Sequence, residues 1–157
     1  MRIAVTGHRE LDPATTQLVD DAIRERLAQV RADGLAGISC LADGADQVFA
    51  RAVLDAGGRL VAVVPAAEYR AGLPAEAHAA YDALLAEAAE VRRLEFTKSD
   101  PEAHMAASRH LLRHADLLYA VWDGRPARGW GGTADVVREA RELGLPVEVI
   151  WPDGATR

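Results

Sequence analysis

The stretch Leu117-Leu118-Tyr119-Ala120-Val121-Trp122-Asp123-Gly124 decides the fold, because an apolar run ends there in a turn. Residues 116–122 are the most apolar short segment of the chain and predict a buried strand. A glycine-rich loop follows at 123–132, and an amphipathic segment at 133–143 predicts a helix. A buried strand, a loop and a helix in this order are typical of one unit of a parallel α/β sheet.

The same alternation continues towards both ends of the chain. Short β-branched runs predict strands, and longer segments with apolar residues three and four apart predict helices. Asp12-Pro13 and Asp100-Pro101 each supply a capping acceptor and a first residue that needs no donor. The predicted strands are 3–6, 37–41, 60–64, 91–96, 116–122 and 146–151, and the predicted helices are 13–30, 45–56, 75–89, 101–114 and 133–143.

Repeated strand–helix units predict parallel strands with right-handed crossover helices on both faces of the sheet. The predicted fold class is therefore α/β, a Rossmann-like three-layer α/β/α sandwich with a mostly parallel sheet. Arg92, Arg93 and Glu95 place the fourth strand near a sheet edge. The length of 157 residues suits one domain, so we predict a single domain over 1–152 and a frayed tail over 153–157.

Composition narrows the possible partners. The formal net charge is -6 and the arginines are scattered among acids, so we expect no general nucleic-acid binding. No segment approaches the roughly 20 apolar residues of a membrane span, so we expect no membrane partner. The single cysteine, Cys40, excludes an internal disulfide and agrees with a cytoplasmic protein. The alanine-rich segment 75–89 suggests a contact between subunits of a homo-oligomer.

Ligands of open parallel sheets bind outside the carboxyl ends of the strands, which directs attention to the strand-end loops. Gly7-His8-Arg9 follows the first predicted strand. Gly7 allows the backbone to approach a ligand closely, and Arg9 has a guanidinium fork that fits a phosphate or carboxylate. The alternative is a turn that carries two solvated polar side chains.

The loop after the second strand is Asp43-Gly44-Ala45-Asp46. Gly44 and Ala45 leave the amides of a helix N-terminus uncovered, which favours an anion. Either aspartate caps the helix or accepts a hydrogen bond from a ribose hydroxyl.

The loop after the fifth strand is the strongest signal. Four glycines fall within nine residues and cost roughly 0.5–1 kcal/mol each relative to alanine, more than a purely structural loop needs. Gly129, Gly131, Gly132 and Thr133 present amides and a hydroxyl to a phosphate. Arg125 and Arg128 either bind a phosphate or are simply solvated. Trp130 either stacks on a base or only covers the loop.

These loops together resemble the SLOG superfamily, a group of Rossmann-like domains that includes the Lonely-guy phosphoribohydrolases and DNA-processing protein A. The resemblance covers nearly the whole chain and rests on four motifs: Thr6-Gly7-His8-Arg9, Leu41-Ala42-Asp43-Gly44-Ala45-Asp46-Gln47, Val121-Trp122-Asp123-Gly124 and Gly131-Gly132-Thr133-Ala134-Asp135. It implies a nucleotide or nucleotide-derived ligand between the first, second and fifth strand-end loops. It also implies either a sensor or binding module, or an enzyme that hydrolyses the N-glycosidic bond of a nucleoside monophosphate.

One departure bears on catalysis. The Lonely-guy motif ends in a catalytic glutamate, and that position is Val136 here. Asp135 is the nearest carboxylate, so Asp135 and Arg9 are the candidate catalytic residues of the hydrolase alternative. The predicted ligand-binding residues are Gly7, His8, Arg9, Asp43, Gly44, Ala45, Asp46, Asp123, Gly124, Gly131, Gly132, Thr133 and Asp135.

Several other residues are left open or set aside. Tyr69, in the loop after the third strand, and Ser108, before the fifth strand, either line the site or only pack nearby. His110 and His114 are spaced for metal binding but lack a third ligand, so we expect no metal site and no resident cofactor.

Overall fold

A computed structural model describes residues 1–157, in which every strand pairing is parallel and six strands form one sheet in the order β4-β3-β2-β1-β5-β6. The strands are β1 Arg2–Gly7, β2 Ala36–Ser39, β3 Arg59–Ala66, β4 Glu90–Phe96, β5 Leu117–Val121 and β6 Val147–Val149. The helices are α1 Pro13–Leu27, α2 Ala45–Asp55, α3 Tyr69–Gly72, α4 His78–Glu87, α5 Pro101–Arg113 and α6 Thr133–Glu142. The chain proceeds from β1 to one edge and returns to β5 on the other side, so the strand order switches between β1 and β5.

Helices cover both faces of the sheet, which confirms the predicted three-layer α/β/α architecture. On one face, α1 and α2 pack on β1 and β5 through side chains such as Ile23, Phe49 and Tyr119. On the other face, α5 and α6 pack through Met105 and Val136. Alternate residues of β1 serve the two faces, as the two-residue period of a strand requires.

The predicted elements differ from the observed ones mainly between β3 and β4. β3 continues through Pro65 to Ala66, where a shift in register accommodates a residue that has no N–H to donate. The loop predicted after the third strand contains α3. The predicted helix 75–89 is a 3-10 turn, Ala75–Ala77, followed by α4. The prediction that β4 lies at a sheet edge is confirmed.

The last residues, for which the sequence predicted a frayed tail over 153–157, make defined contacts in the structure. The Thr156 amide donates to Thr15 Oγ1 over 2.9 Å, and its hydroxyl donates to Asp12 Oδ2 over 2.8 Å. Arg157 Nη1 lies 3.3 Å from Asp123 Oδ2. The tail therefore docks on the cap of α1 and on the loop after β5, two places that only the folded chain brings together.

No helix in the structure has the length and apolar character that spanning a bilayer requires.

Candidate functional site: a cationic cleft beside the ends of β1 and β5

A cleft of about 550 Å³ opens where the strand order switches. Its walls come from the loop after β1, the glycine-rich loop before α6, the start of α5, and Arg157. Volumes of this size are typical of small-molecule sites, and the switch point is where open α/β sheets bind ligands. The structure therefore brings the first and fifth strand-end loops together, as the sequence predicted.

His8 joins these two loops from within. Its side chain is buried, and Nε2 accepts a 3.0 Å hydrogen bond from the Asp123 amide. Because Nε2 is an acceptor, the neutral ring carries its proton on Nδ1. Burial lowers the pKa of His8, and the nearby Arg157 adds to this effect while Asp123 opposes it. His8 thus has a definite structural role at the base of the cleft.

Asp43 orients the loop after β1. One carboxylate oxygen accepts a 2.7 Å hydrogen bond from Arg9 Nε, and the other accepts from the Glu10 amide over 3.1 Å. Asp43 is buried, whereas the Arg9 side chain is 44% exposed and lines the cleft. Asp43 does not cap α2, since Gly44 is the N-cap residue and no side chain bonds there. Its contribution to the site is to hold Arg9 in place.

Gly7 and Gly44 permit a close approach between protein segments. A Cβ on Gly7 would lie 2.4 Å from Ala45 Cβ, and one on Gly44 would lie 2.5 Å from the His8 carbonyl oxygen. Gly44 also has a φ of +85°, which side chains other than glycine rarely adopt. The Ala45 amide donates to the His8 oxygen over 3.2 Å, so this amide of the α2 N-terminus is already occupied.

At the loop before α6, the Gly132 amide donates to the Gly129 carbonyl oxygen over 3.4 Å, and the first amides of the helix itself remain available. Gly132 is the N-cap of α6, and the amides of Thr133 and Ala134 have no acceptor within the helix. Gly131 has a φ of +86° and donates its amide to Asp135 Oδ2 over 2.9 Å. Gly131, Gly132 and Thr133 all line the cleft. The helix N-terminus beside the cleft is therefore that of α6, whereas the Ala45 amide at the start of α2 is engaged within the protein.

Asp135, the candidate catalytic carboxylate, is already engaged. Besides the Gly131 amide, it pairs with Arg138 over 3.2 Å, and its side chain is only 15% exposed. It does not line the cleft. Through these contacts, Asp135 stabilises the conformation of the glycine-rich loop.

Asp123 and Gly124 also lie outside the cleft wall. Burial of Asp123 by itself raises its pKa, but hydrogen bonds from the Arg125 amide and Arg157 outweigh burial and lower the pKa overall. Gly124 adopts a φ of +83° with no neighbour that a Cβ would meet, so the turn alone requires glycine. These two residues shape the turn after β5.

Sequence reasoning missed Arg157 and His104 as parts of the cleft wall. Arg157 arrives through the docked tail, for which no local pattern exists. His104 lies on α5, where Nε2 is 2.7 Å from Ser99 Oγ and the ring meets Tyr69 edge-on at 5.7 Å. Burial lowers the pKa of His104, and Arg9 lowers it further. The capping residues Asp100-Pro101 predicted where α5 begins, but they carry no information on which face of this helix borders the cleft.

The cleft is cationic although the chain is acidic. Arg9, Arg128 and Arg157 line it, against the single carboxylate of Glu10. Arg9 forms an ion pair with Asp43, and Arg157 forms one with Asp123. Arg128 is exposed and forms no ion pair. The rim therefore carries one uncommitted guanidinium beside the free amides of α6.

The structure contains no group of three or more His, Cys, Asp or Glu side chains arranged to hold a metal ion. His110 and His114 stack on each other with their ring centroids 4.2 Å apart.

Comparison with solved structures defines the class of fold. The chain is similar to DNA processing protein A from Streptococcus pneumoniae, with a TM-score of 0.69, 18% identity and coverage of 98% of this chain and 51% of that protein. It thus spans about half the length of the pneumococcal protein. The counterpart from Helicobacter pylori gives a TM-score of 0.67, 16% identity and coverage of 99% and 68%. A molybdenum cofactor binding protein from Rippkaea orientalis gives 0.61, 14% identity and coverage of 97% and 77%.

These similarities confirm the predicted fold: the chain has a Rossmann-like α/β fold like that of the DNA processing A proteins and the molybdenum cofactor binding protein. No family model and no curated protein matches the sequence, so the likeness lies in the fold.

The comparison also corrects one prediction. Net charge led us to expect no general nucleic-acid binding, yet the Helicobacter protein of the same fold binds single-stranded DNA. The exclusion is therefore wrong. The physical reason is that net charge sums over the whole surface, whereas a ligand responds to the groups that it meets locally, and here three arginines line one cleft of an acidic chain.

Proposed function

We propose that the cleft binds a phosphate-bearing ligand of the nucleotide class and that the chain acts as a binding or sensing module. The observation that carries the proposal is the convergence, in one cleft, of Thr133 at the N-terminus of α6 with the Arg9, Arg128 and Arg157 guanidiniums. Amides at a helix N-terminus and guanidinium groups are both strong partners for phosphate oxygens. Trp130, which is 54% exposed at the rim, offers an aromatic face for a ring of the ligand.

Binding without hydrolysis fits the carboxylates better than the enzyme alternative does. Cleavage of an N-glycosidic bond needs a carboxylate near the ribose carbon that becomes positively charged. Asp135 is held by Gly131 and Arg138, and Glu10 is the only carboxylate in the cleft wall. An assay for free base released from AMP separates the two functions, because only an enzyme produces base.

Single-stranded DNA is included as a candidate ligand, since it repeats the same combination of phosphate and base. The Helicobacter protein of this fold binds it. A short oligonucleotide therefore belongs in the same panel as the mononucleotides, and its affinity should fall steeply with salt if several phosphates are contacted.

Calorimetric titration with AMP, adenosine, inorganic phosphate and a ten-nucleotide single strand tests the proposal. We expect AMP to bind and adenosine to bind at least about tenfold more weakly, because it lacks the phosphate. Thermal unfolding provides a second readout, since a ligand at 100 times its Kd adds about 2.7 kcal/mol to the free energy of unfolding. Equal binding of AMP and adenosine, or no binding by any member of the panel, would overturn the proposal.

A further inference from the structure

A second cavity, of about 120 Å³, lies against the cleft. We call it the inner pocket. It shares Thr6, Gly7, Arg9, His104 and Gly131 with the cleft, so the two spaces adjoin along the end of β1. The inner pocket is too small for a whole nucleotide and is of a size for one compact group.

The walls of the inner pocket differ in chemistry from those of the cleft. Away from the shared residues they are formed by Val5, Cys40, Pro65, Tyr69 and Leu111, together with the small residues Ala42 and Ser108. The cleft, by contrast, has one hydrophobic residue among its lining. The inner pocket therefore has more apolar residues in its wall than the cleft has, although about half of that wall is polar.

Asp46 is the one carboxylate in the wall of the inner pocket. Its Oδ2 accepts a long hydrogen bond of 3.3 Å from the Ala42 amide, whereas Oδ1 accepts none from the protein. Oδ1 is not sealed from solvent, since the structure contains no fully buried side-chain oxygen without a partner. A residue in the wall of the inner pocket thus has a carboxyl oxygen whose hydrogen-bonding capacity the protein leaves unused.

These walls decide which end of a nucleotide enters. A phosphate in the inner pocket would meet the Asp46 carboxylate and a single guanidinium, that of Arg9, whereas the cleft offers three guanidiniums and has Glu10 as its one carboxylate. A flat heterocyclic base has the opposite needs, because it gains from apolar contact and presents N–H donors and ring acceptors at its edge.

We propose that the inner pocket is the base subsite of the ligand and that Asp46 is the residue that recognises the base edge. This inference rests on the proposed nucleotide binding, and it adds the orientation of the ligand and the residue that confers specificity. The phosphate lies among the arginines and the α6 amides, and the base extends under Arg9 towards Asp46.

Comparison of ribose 5-phosphate with AMP, GMP, CMP and UMP tests this inference by calorimetry. Ribose 5-phosphate has the phosphate and sugar but no base. In the unmodified protein we expect at least one nucleotide to bind about tenfold or more tightly than ribose 5-phosphate, since base contacts add to those of the phosphate. Asp46→Asn should change the order of preference among bases and leave ribose 5-phosphate affinity within about twofold.

A steric variant supplies an independent readout. Ser108 lines the inner pocket but not the cleft, and it lies on α5, where a larger side chain is compatible with the helix. Ser108→Leu should fill the inner pocket and reduce nucleotide affinity to that of ribose 5-phosphate. Circular dichroism and the melting temperature confirm that both variants remain folded.

The outcomes separate the inference from the function on which it rests. If ribose 5-phosphate and all nucleotides fail to bind, the proposed function is wrong. If they bind equally well, or if Asp46→Asn and Ser108→Leu leave the base preference unchanged, the function stands and the base subsite is wrong.

Discussion

The imidazole of His8 and the backbone amide of Asp123 form a 3.0 Å hydrogen bond that joins the loop after β1 to the loop after β5. Both side chains are largely buried, and the bond lies at the base of the cleft. Together with the 3.1 Å hydrogen bond from the His8 amide to the Val121 carbonyl oxygen, it holds the two loops that define the candidate site in their relative position.

Replacing this acceptor should destabilise the protein. His8→Phe keeps an aromatic ring but leaves the Asp123 amide without its partner, so we expect a loss of about 1–3 kcal/mol in the free energy of unfolding. His8→Gln retains an acceptor oxygen and should lose less. Urea denaturation measures both, and an equal loss in the two variants would show that ring packing, not the hydrogen bond, matters.

The contact between Gly44 and the His8 carbonyl predicts a second stability effect. Gly44→Ala combines a φ of +85° with a Cβ placed 2.5 Å from that oxygen. Gly57→Ala is a matched control, because Gly57 has the same φ of +85° but its Cβ would meet only Ala32 at 3.8 Å. We expect about 1–2 kcal/mol for the control and clearly more for Gly44→Ala in urea denaturation. Similar losses would mean that the two loops separate easily.

The pH dependence of stability should reveal Asp46. Burial raises its pKa from 3.8 to about 7, with the Ala42 amide and Arg9 opposing the shift and Asp43 adding to it. Cys40, Tyr69 and His104 are the other titratable groups in the wall of the inner pocket.

Between pH 3.8 and about 7, Asp46 is protonated in the folded state and ionised in the unfolded state. The contribution of Asp46 to the free energy of unfolding therefore decreases as pH rises from 3.8 to about 7. Asp46→Asn replaces the carboxyl group with an amide that does not ionise, so the free-energy cost of burying a charged carboxylate is absent from the variant. Its free energy of unfolding, relative to the parent, should increase from pH 4 to pH 7 and remain level above it. Asp21→Asn, on the exposed side of α1, is the control, and a constant difference for Asp46→Asn across the range would contradict this prediction.

Arg128 should contribute to phosphate binding through its charge. It is exposed at the rim of the cleft and forms no ion pair, so its guanidinium is free for a ligand. Arg128→Gln should weaken AMP about threefold to tenfold in calorimetric titration and should leave adenosine unaffected. Arg113→Gln removes the same charge from the exposed end of α5, outside the cleft, and should have little effect. A matching loss in both variants would indicate a general charge effect.

Asp135 should affect ligand binding indirectly, by holding the glycine-rich loop before α6 in place. Asp135→Ala leaves the Gly131 amide without an acceptor and Arg138 without a partner, whereas Asp135→Asn keeps an oxygen for the amide. We expect faster amide hydrogen exchange over 129–133 and weaker AMP binding in the alanine variant, and smaller changes in the asparagine variant. Release of base from AMP that both substitutions abolish would assign Asp135 to chemistry instead.

The sequence by itself determined the fold and the general position of the site. Local periods of two and 3.6 residues fix strands and helices, and their strict alternation leaves a parallel sheet with helices on both faces as the only compact arrangement. The sequence also singled out the glycine-rich loop before Thr133, because a helix N-terminus after a buried strand carries free amides whatever surrounds it, and in the structure this loop lines the cleft.

Tertiary structure alone decided what each predicted side chain does. His8 accepts from the Asp123 amide, and Asp43 accepts from the Glu10 amide. Each of these hydrogen bonds joins loops that are far apart in sequence, so neither has a local signature. Arg157 reaches the cleft only because the tail docks on the cap of α1. The unused oxygen of Asp46 likewise depends on a cavity enclosed by β1, β3, α3 and α5 together. Spacing along the chain determines elements, whereas burial and the pairing of polar groups are set by packing between them.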